Sequence, residues 1–391
     1  MSGLHPIHGH EELREALARV HHRDGLPSPL LLHGPRGVGK QRLAHWVGQM
    51  VLCESPRAES PCEACKSCRL HLRLEHPDFH WYLPLSRPAV SGGPDRLDEA
   101  LEDARRNRLD ELRSSPLAGP DPGEPRALHL GTIRNLRKRA RQRPSMGADQ
   151  VFTVAEAELL VAQESSPEAA NALLKVLEEP PEGTRFILTS NNPGRLLPTV
   201  RSRSVAVHVP PLAAEEVRRF LTGVAGVSED DAARATQLGQ GSIGRAVGFL
   251  PREEGEDPIL DSLRREAFRI VRASLAPRPG EPFALALGYA PSGARTADDL
   301  LSFVEGWLRD LAAVAAGAPE AIINADAGNA LEDLLEGTQV DPRALAEAAQ
   351  VVSAARSLAA GNVNPQLFVF GLLQDLREVA ASPVRGEGAV A

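Results

Sequence analysis

Aromatic side chains make up only 4% of the 391 residues. A core short of rings must be built on Leu, Val and Ala, which favours packed helices over a sandwich of strands. Cysteine is scarcer still. There are four, all between positions 53 and 68, so a disulfide framework spread along the chain is a poor reading. No stretch of 18 apolar residues occurs, and no membrane span is expected. The opening "MSGLHPIHGHEELREALARV" lacks the apolar core of a secretory signal, so cytoplasmic residence is the expectation. Positive charge is not in excess either. With 44 Lys and Arg against 52 Asp and Glu the formal net charge is −8, which excludes a generally basic nucleic-acid binder and leaves room for a local basic surface.

What is present is length and alternation. A chain of 391 residues exceeds one ordinary core, and two or three domains are expected. Residues 10–22 have helical spacing, with Leu13, Leu17 and Val20 on one face. "SPLLLHG" reads as a buried strand, residues 41–52 as a helix, and "HPDFHWYLP" as extended chain. Residues 85–126 form an insertion whose charged helical stretch carries the apolar stripe Leu97, Leu101, Ala104, Leu109 and Leu112. "GTIRNLRKRARQR" is a basic helix, "QVFTV" a strand, and residues 166–184 a helix stopped by Pro180-Pro181. "RFILTSNNP" and "SVAVHVPPL" are further strands. Strands alternating with helices predict a parallel, doubly wound sheet. From Pro211 on, only helical patterns follow: three short ones to about 250, then amphipathic helices and a loose tail at 381–390.

Gly34-Pro-Arg-Gly-Val-Gly39-Lys40 follows the first strand and opens the next helix. In a phosphate loop Gly34, Gly37 and Gly39 let backbone N–H groups converge on phosphate oxygens, and Lys40 reaches the outer phosphates. A Ser or Thr hydroxyl should then meet a magnesium ion, but the chain has Gln41. The partner strand should end in Asp-Glu, and it ends in Ala155-Glu156. Both departures fall on the same metal ion. They predict weak or absent hydrolysis, with ATP binding through Lys40 and the loop amides still possible.

Cys53, Cys62, Cys65 and Cys68 are spaced C-x8-C-x2-C-x2-C, the pattern of a closed structural Zn2+ shell. His71 and His76 lie nearby, but four thiolates suffice and both histidines are expected to be packing or surface residues.

These features together resemble the bacterial clamp-loader family, AAA+ proteins that place the sliding clamp on primed DNA. The strongest likeness is "EAANALLKVLEEPPEGTRFILTSNNPGRLLPTVRSRS", Glu168 to Ser204, supported by "IHGHEELREAL", by the cysteine module ahead of "HPDF", by "GSIGRA" with Arg245 at the second-sensor position, and by "GNVNPQLFVFGLLQDL". The resemblance implies an α/β AAA+ domain over 1–210 with zinc module 53–68 and insertion 85–126, a helical lid over 211–256, and an all-α collar over 257–391. A degenerate loop beside an intact zinc module is similar to a non-motor subunit of that family. The resemblance implies tau/gamma and delta subunits as partners, with the sliding clamp and primed DNA reached through the complex, in the polymerase III holoenzyme. On the string alone Arg203 reads as a surface arginine in a salt bridge. The resemblance implies an arginine finger acting in a neighbour's ATP site, with Ser204 standing where the family usually has Cys. The basic helix lines the DNA-facing interior or is a solvated face. Two other readings stand beside this one: a tau/gamma-like motor that tolerates Gln41, and a zinc-dependent nucleic-acid-binding protein.

Overall fold

The computed structural model describes residues 3–117, 126–160, 168–251, 257–276, 280–288, 294–336, 341–359 and 364–380. The expected loose tail at 381–390 and the start of the "GNVN" string lie outside these residues. The chain divides into two compact units, one of Met1–Pro120 with Arg126–Val247 and one that takes in Gly248–Ala391.

In the first unit the elements run α1 (Glu11–Asp24), β1 (Leu30–His33), α2 (Lys40–Val51), α3 (Lys66–Leu72), β2 (Phe79–Tyr82), α4 (Pro94–Ser114), α5 (Leu130–Ala140) and β3 (Gln150–Val154). A 3-10 turn (Ala157–Leu160), α6 (Glu168–Glu178), β4 (Thr184–Ser190), a 3-10 turn (Pro193–Arg195), α7 (Pro198–Ser202) and β5 (Val205–His208) follow. The helices α8 (Ala214–Gly223), α9 (Glu229–Gly239) and α10 (Ile243–Val247) close it, so the helices of the expected lid segment fall in the same unit as the sheet.

The sheet is five-stranded in the order β2-β3-β4-β1-β5, and every pairing is parallel. Burial on both faces explains why β1, β3 and β4 read as apolar runs, while the edge strand β5 is largely exposed. Side chains still alternate. Leu30 and Leu32, with Val151 and Ile187, pack with Leu17, Leu43 and Trp46 of α1 and α2. Leu31, Phe152, Val154, Phe186 and Leu188 face the other way, onto Ile133 and Leu136 of α5 and Leu173 and Leu177 of α6. Helix α6 ends two residues ahead of Pro180, as that proline requires.

Val20 departs from expectation, being 42% exposed. The buried stripe of α1 runs through Leu17 and Ala18, and Val20 lies about 160° around the helix from Ala18 at roughly 100° per residue.

The insertion is pinched at its neck, where Leu85 and Ala127 exchange backbone bonds of 2.9 and 3.1 Å. Leu101 and Leu112 of its stripe are buried, and so is Arg105 between them. The Arg105 guanidinium donates to Glu102 Oε1 and Oε2 at 2.6 and 2.9 Å and to the Trp81 carbonyl at 3.3 Å, and lies 5.1 Å from the Tyr82 ring. An arginine thus docks α4 on the edge strand β2.

His80, on β2, is buried against Phe152. Burial, then the Arg139 and Arg105 charges, push its imidazole down to about 3. Between that value and its ordinary 6.5 the unfolded chain binds the extra proton, so stability falls on acidification through this window. At pH 5 the loss is about 2 kcal/mol relative to pH 7. His80→Phe is expected to shrink the difference in urea unfolding between pH 7 and pH 5 by about that amount and to leave a remainder, because burial also holds the His45 and His71 imidazoles below their ordinary value. An unchanged difference would show that His80 is not a titrating group.

The second unit is all helical: α11 (Ile259–Leu275), α12 (Gly280–Leu287), α13 (Ala294–Ala315), two 3-10 turns, α14 (Gly328–Glu336), α15 (Pro342–Ala359) and α16 (Pro365–Ala380). Helix α13 packs on α11 and α15, and α16 packs on α11, α12 and α15. Its core carries a polar pin. Arg264 donates to Asn324 Oδ1 at 2.6 Å and to both Asp326 oxygens, over the Trp307 ring, while the fully buried Asp310 accepts from the Ile323 and Asn324 N–H groups. Among the described residues no helix is long and apolar enough to cross a membrane.

Candidate nucleotide loop, cysteine cluster and exposed arginine

The glycine loop leaves the carboxyl end of β1, the strand flanked by β4 and β5, where ligands of open parallel sheets bind. Gly34 and Gly37 are required here. A Cβ on Gly34 would lie 2.2 Å from the Val209 carbonyl oxygen, and one on Gly37 (φ +78°) would lie 2.3 Å from Ser242 Oγ. Gly39 caps α2 in the left-handed region. Lys40 is buried and turned back on its own loop, donating to the Gly34 and Pro35 carbonyls at 2.9 and 2.6 Å. Burial pushes its ammonium down to about 8, against the pull of the Glu158 and Glu156 carboxylates.

The turn before α10 sits directly on this loop. Ser242 Oγ donates to the Arg36 carbonyl and the Gly244 N–H to the Gly37 carbonyl, each at 2.9 Å. Arg245, expected at the site, is the third residue of α10, and its N–H donates to Ser242 Oγ at 3.1 Å. On the opposite side His10 Nε2 lies 2.7 Å from the Val38 carbonyl.

Ala155 is fully buried in an apolar cluster with Leu4, Leu74, Trp81, Leu83 and Leu112. Glu156 follows in the left-handed region (φ 49°), its N–H bonded to Thr189 Oγ1 at 3.1 Å, and burial raises its carboxyl. The sequence reading missed Glu158. It is buried, accepts from the Asn191 N–H at 2.9 Å, and is the strongest acidic influence on Lys40. The doubled spacing in Ala155-Glu156-Ala157-Glu158 was the available signal.

The four cysteines converge. Their sulfurs all lie within 4.8 Å of one another, with Cys62 and Cys68 at 3.9 Å. Thiolates around a tetrahedral ion with bonds of about 2.3 Å stand roughly 3.8 Å apart. The N–H groups of Cys62, Cys65 and Cys68 donate to the sulfurs of Cys53, Cys62 and Cys65, each at 3.3 Å. Donation from the Cys65 and Ala64 N–H groups pulls the Cys62 thiol down to about 6, while burial pushes Cys68 up. All four are free of disulfides. This donor set fits a metal ion held for structure, with no open position for catalysis.

Of the two roles open to them, packing and surface, both histidines take the first: His71 packs on Phe79 and His45, and His76 is buried. Arg203 stands just past α7, its side chain 41% exposed, paired with Glu178 Oε1 at 2.7 Å and donating to the Thr199 carbonyl at 3.2 Å.

A parallel α/β domain with a glycine loop behind its central strand, interrupted by a four-cysteine module, defines a P-loop-type protein. The profile of the family described as DNA polymerase III, delta subunit, matches residues 9–213, and the chain belongs to that family. DNA polymerase III subunit delta′ of Pseudomonas aeruginosa is 33% identical over 181 residues, 46% of this chain and 42% of that protein. Delta′ of Escherichia coli K12 is 27% identical over 221 residues, 56% of this chain and 54% of that one. Subunit tau of Escherichia coli K12 is 27% identical over 206 residues, 53% of this chain and 24% of that protein. The matched stretch thus spans about half the length of these delta′ relatives. A gamma subunit-related protein of Thermotoga maritima aligns with a TM-score of 0.39 at 15% identity, over 94% of this chain and 99% of that one.

Proposed function

We propose that this chain is the delta-prime subunit of a DNA polymerase III clamp loader, which helps load the sliding clamp on primed DNA and leaves the ATP chemistry to a neighbouring subunit. The observation that carries the reading is Ala155. The position that should place a metal-binding carboxylate is a methyl group inside an apolar cluster. With Gln41 on the loop side, the metal has lost protein partners on both flanks.

In this reading Zn2+ fills the shell of Cys53, Cys62, Cys65 and Cys68 and holds the module's fold. Gly34, Gly37, Gly39, Lys40 and Arg245 form a retained nucleotide scaffold. Arg203 serves the neighbour. The lid over 211–256 and the collar over 257–391 complete the subunit, and the collar assembles with tau/gamma and delta. Arg137, Lys138, Arg141 and Arg143 have no ion pair among the described residues, and they meet DNA phosphates without reading sequence.

The test is reconstitution with candidate motor and delta subunits. This chain is expected to co-purify with them, to hydrolyse no ATP alone, and to raise their DNA- and clamp-stimulated ATPase. Turnover by the isolated chain that is lost in Lys40→Ala would establish the motor reading instead.

A further inference from the structure

We propose that the cysteine module fixes the loop leaving the basic helix, residues 141–149, through a hydrogen-bonded path of Ser67, His76 and Asp78. The inference rests on reading the cysteines as a structural metal site.

The path begins inside the module. Ser67 lies between Cys65 and Cys68 on α3 and is buried. Its hydroxyl donates to the carbonyl of Leu52, the residue before Cys53, and its N–H donates to Glu54 Oε1 at 3.1 Å, just after that cysteine. Both cysteine-bearing segments therefore meet at Ser67. With its proton given to Leu52, the Ser67 oxygen is left to accept from His76 Nε2, 2.9 Å away. That assigns the His76 proton to Nε2 and leaves Nδ1 to accept the Asp78 N–H at 3.1 Å.

Asp78 carries the path across the chain. Its carboxylate, 2% exposed, accepts the N–H of Ser145 at 2.5 Å and of Met146 at 2.7 Å. Two consecutive amides on one buried carboxylate are strong, charge-assisted bonds. They hold a segment whose own side chains, Ser145 and Met146, face solvent. The other end of the loop is tied by Gln150 Nε2, which lies 3.0 Å from the Ala140 and Gln142 carbonyls at the end of α5. Arg141 and Arg143 stand exposed between these ties.

The second half of the module is anchored by the buried Cys68 and His71 of α3, and its first half meets the rest of the unit where a His22 ring nitrogen lies 2.7 Å from the Arg57 carbonyl. Residues 54–59 are exposed, and α3 is a short helix. A segment of this kind takes its folding free energy from the metal. Loss of the metal frees α3, then Ser67, and with it the orientation of His76 and Asp78.

Hydrogen exchange of the full chain tests this, with zinc content measured on the same samples. One zinc per chain is expected. Removing it with a chelator is expected to speed exchange of the Ser145 and Met146 amides at least tenfold, while amides in the middle of β4 change less than twofold. Ser67→Ala is expected to keep one zinc and still speed exchange at Ser145 and Met146 about threefold. Asp78→Asn is expected to keep its zinc and exchange fast there with or without chelator. A chain that binds no metal overturns the structural-site reading and the path with it. A chain that binds one zinc and shows equal exchange at Ser145 and Met146 before and after stripping overturns the path alone.

Discussion

Replacing Arg203 by Ala is expected to lower the DNA- and clamp-stimulated ATPase of a reconstituted loader by about a thousandfold, the low end for loss of an arginine finger. The expectation follows from where the residue stands. It lies just past α7, at an exposed corner before the edge strand β5. Its ionic partner among the described residues, Glu178, has a side chain 43% exposed. An exposed pair of this kind is worth at most about 1 kcal/mol, so the guanidinium leaves it at little cost when a triphosphate is offered across an interface. The role demands a planar fork that spreads positive charge over transferring phosphoryl oxygens, and an ammonium does not supply one. Arg203→Lys should therefore recover little of the rate. Glu178→Ala removes only the resting partner and should leave turnover within about twofold. Assembly must be intact in each variant, as gel filtration of the loader will show. Full stimulated turnover with Arg203→Ala would remove the arginine from the chemistry and return it to an ordinary surface pair.

The glycine loop and the cysteines were legible because their signals are local. A loop of fixed spacing between a strand and a helix, and cysteines in CxxC steps, announce themselves within a few residues, and the structure puts both where that spacing demands. Legibility ends where function is assembled across the chain. Gly37 reads as a phosphate-loop glycine, yet in the fold its missing Cβ also makes room for Ser242, and only tertiary structure brings those positions together. Arg105 lies in the charged helical stretch of the insertion, where nothing in the sequence singles it out. Burial against Trp81 and Tyr82 makes it the anchor of the insertion. Asp78 gave no hint in sequence of its two amides, because its partners lie beyond the whole insertion. Val20 failed for a simpler reason. Helical spacing defines a stripe, and which residue forms its centre is decided by the neighbour it packs on.

The loop itself yields the other large effect. Restoring both consensus residues, Gln41→Thr and Ala155→Asp, is expected to give no ATPase and to cost stability. The threonine is the harmless half, since position 41 is half-buried in the first turn of α2. The aspartate is the costly one. Its side chain would enter a fully buried site among the apolar side chains of Trp81, Leu83 and Leu112. Burial without a partner raises the carboxyl's pKa and costs about 3 kcal/mol or more at neutral pH. The sign of the pH dependence follows. A raised folded pKa means that the native state holds the proton longer than the unfolded chain does. The penalty of Ala155→Asp should therefore shrink in acid and grow as pH rises past the ordinary carboxylate range. Urea unfolding of the sheet-bearing unit at several pH values, with Ala155→Asp compared against the parent chain, measures this. Hydrolysis by the double variant at a motor-like rate would show that the site had lost only two side chains. The expected result, a destabilised and still silent loop, locates the loss in the apolar packing that has replaced the metal's surroundings.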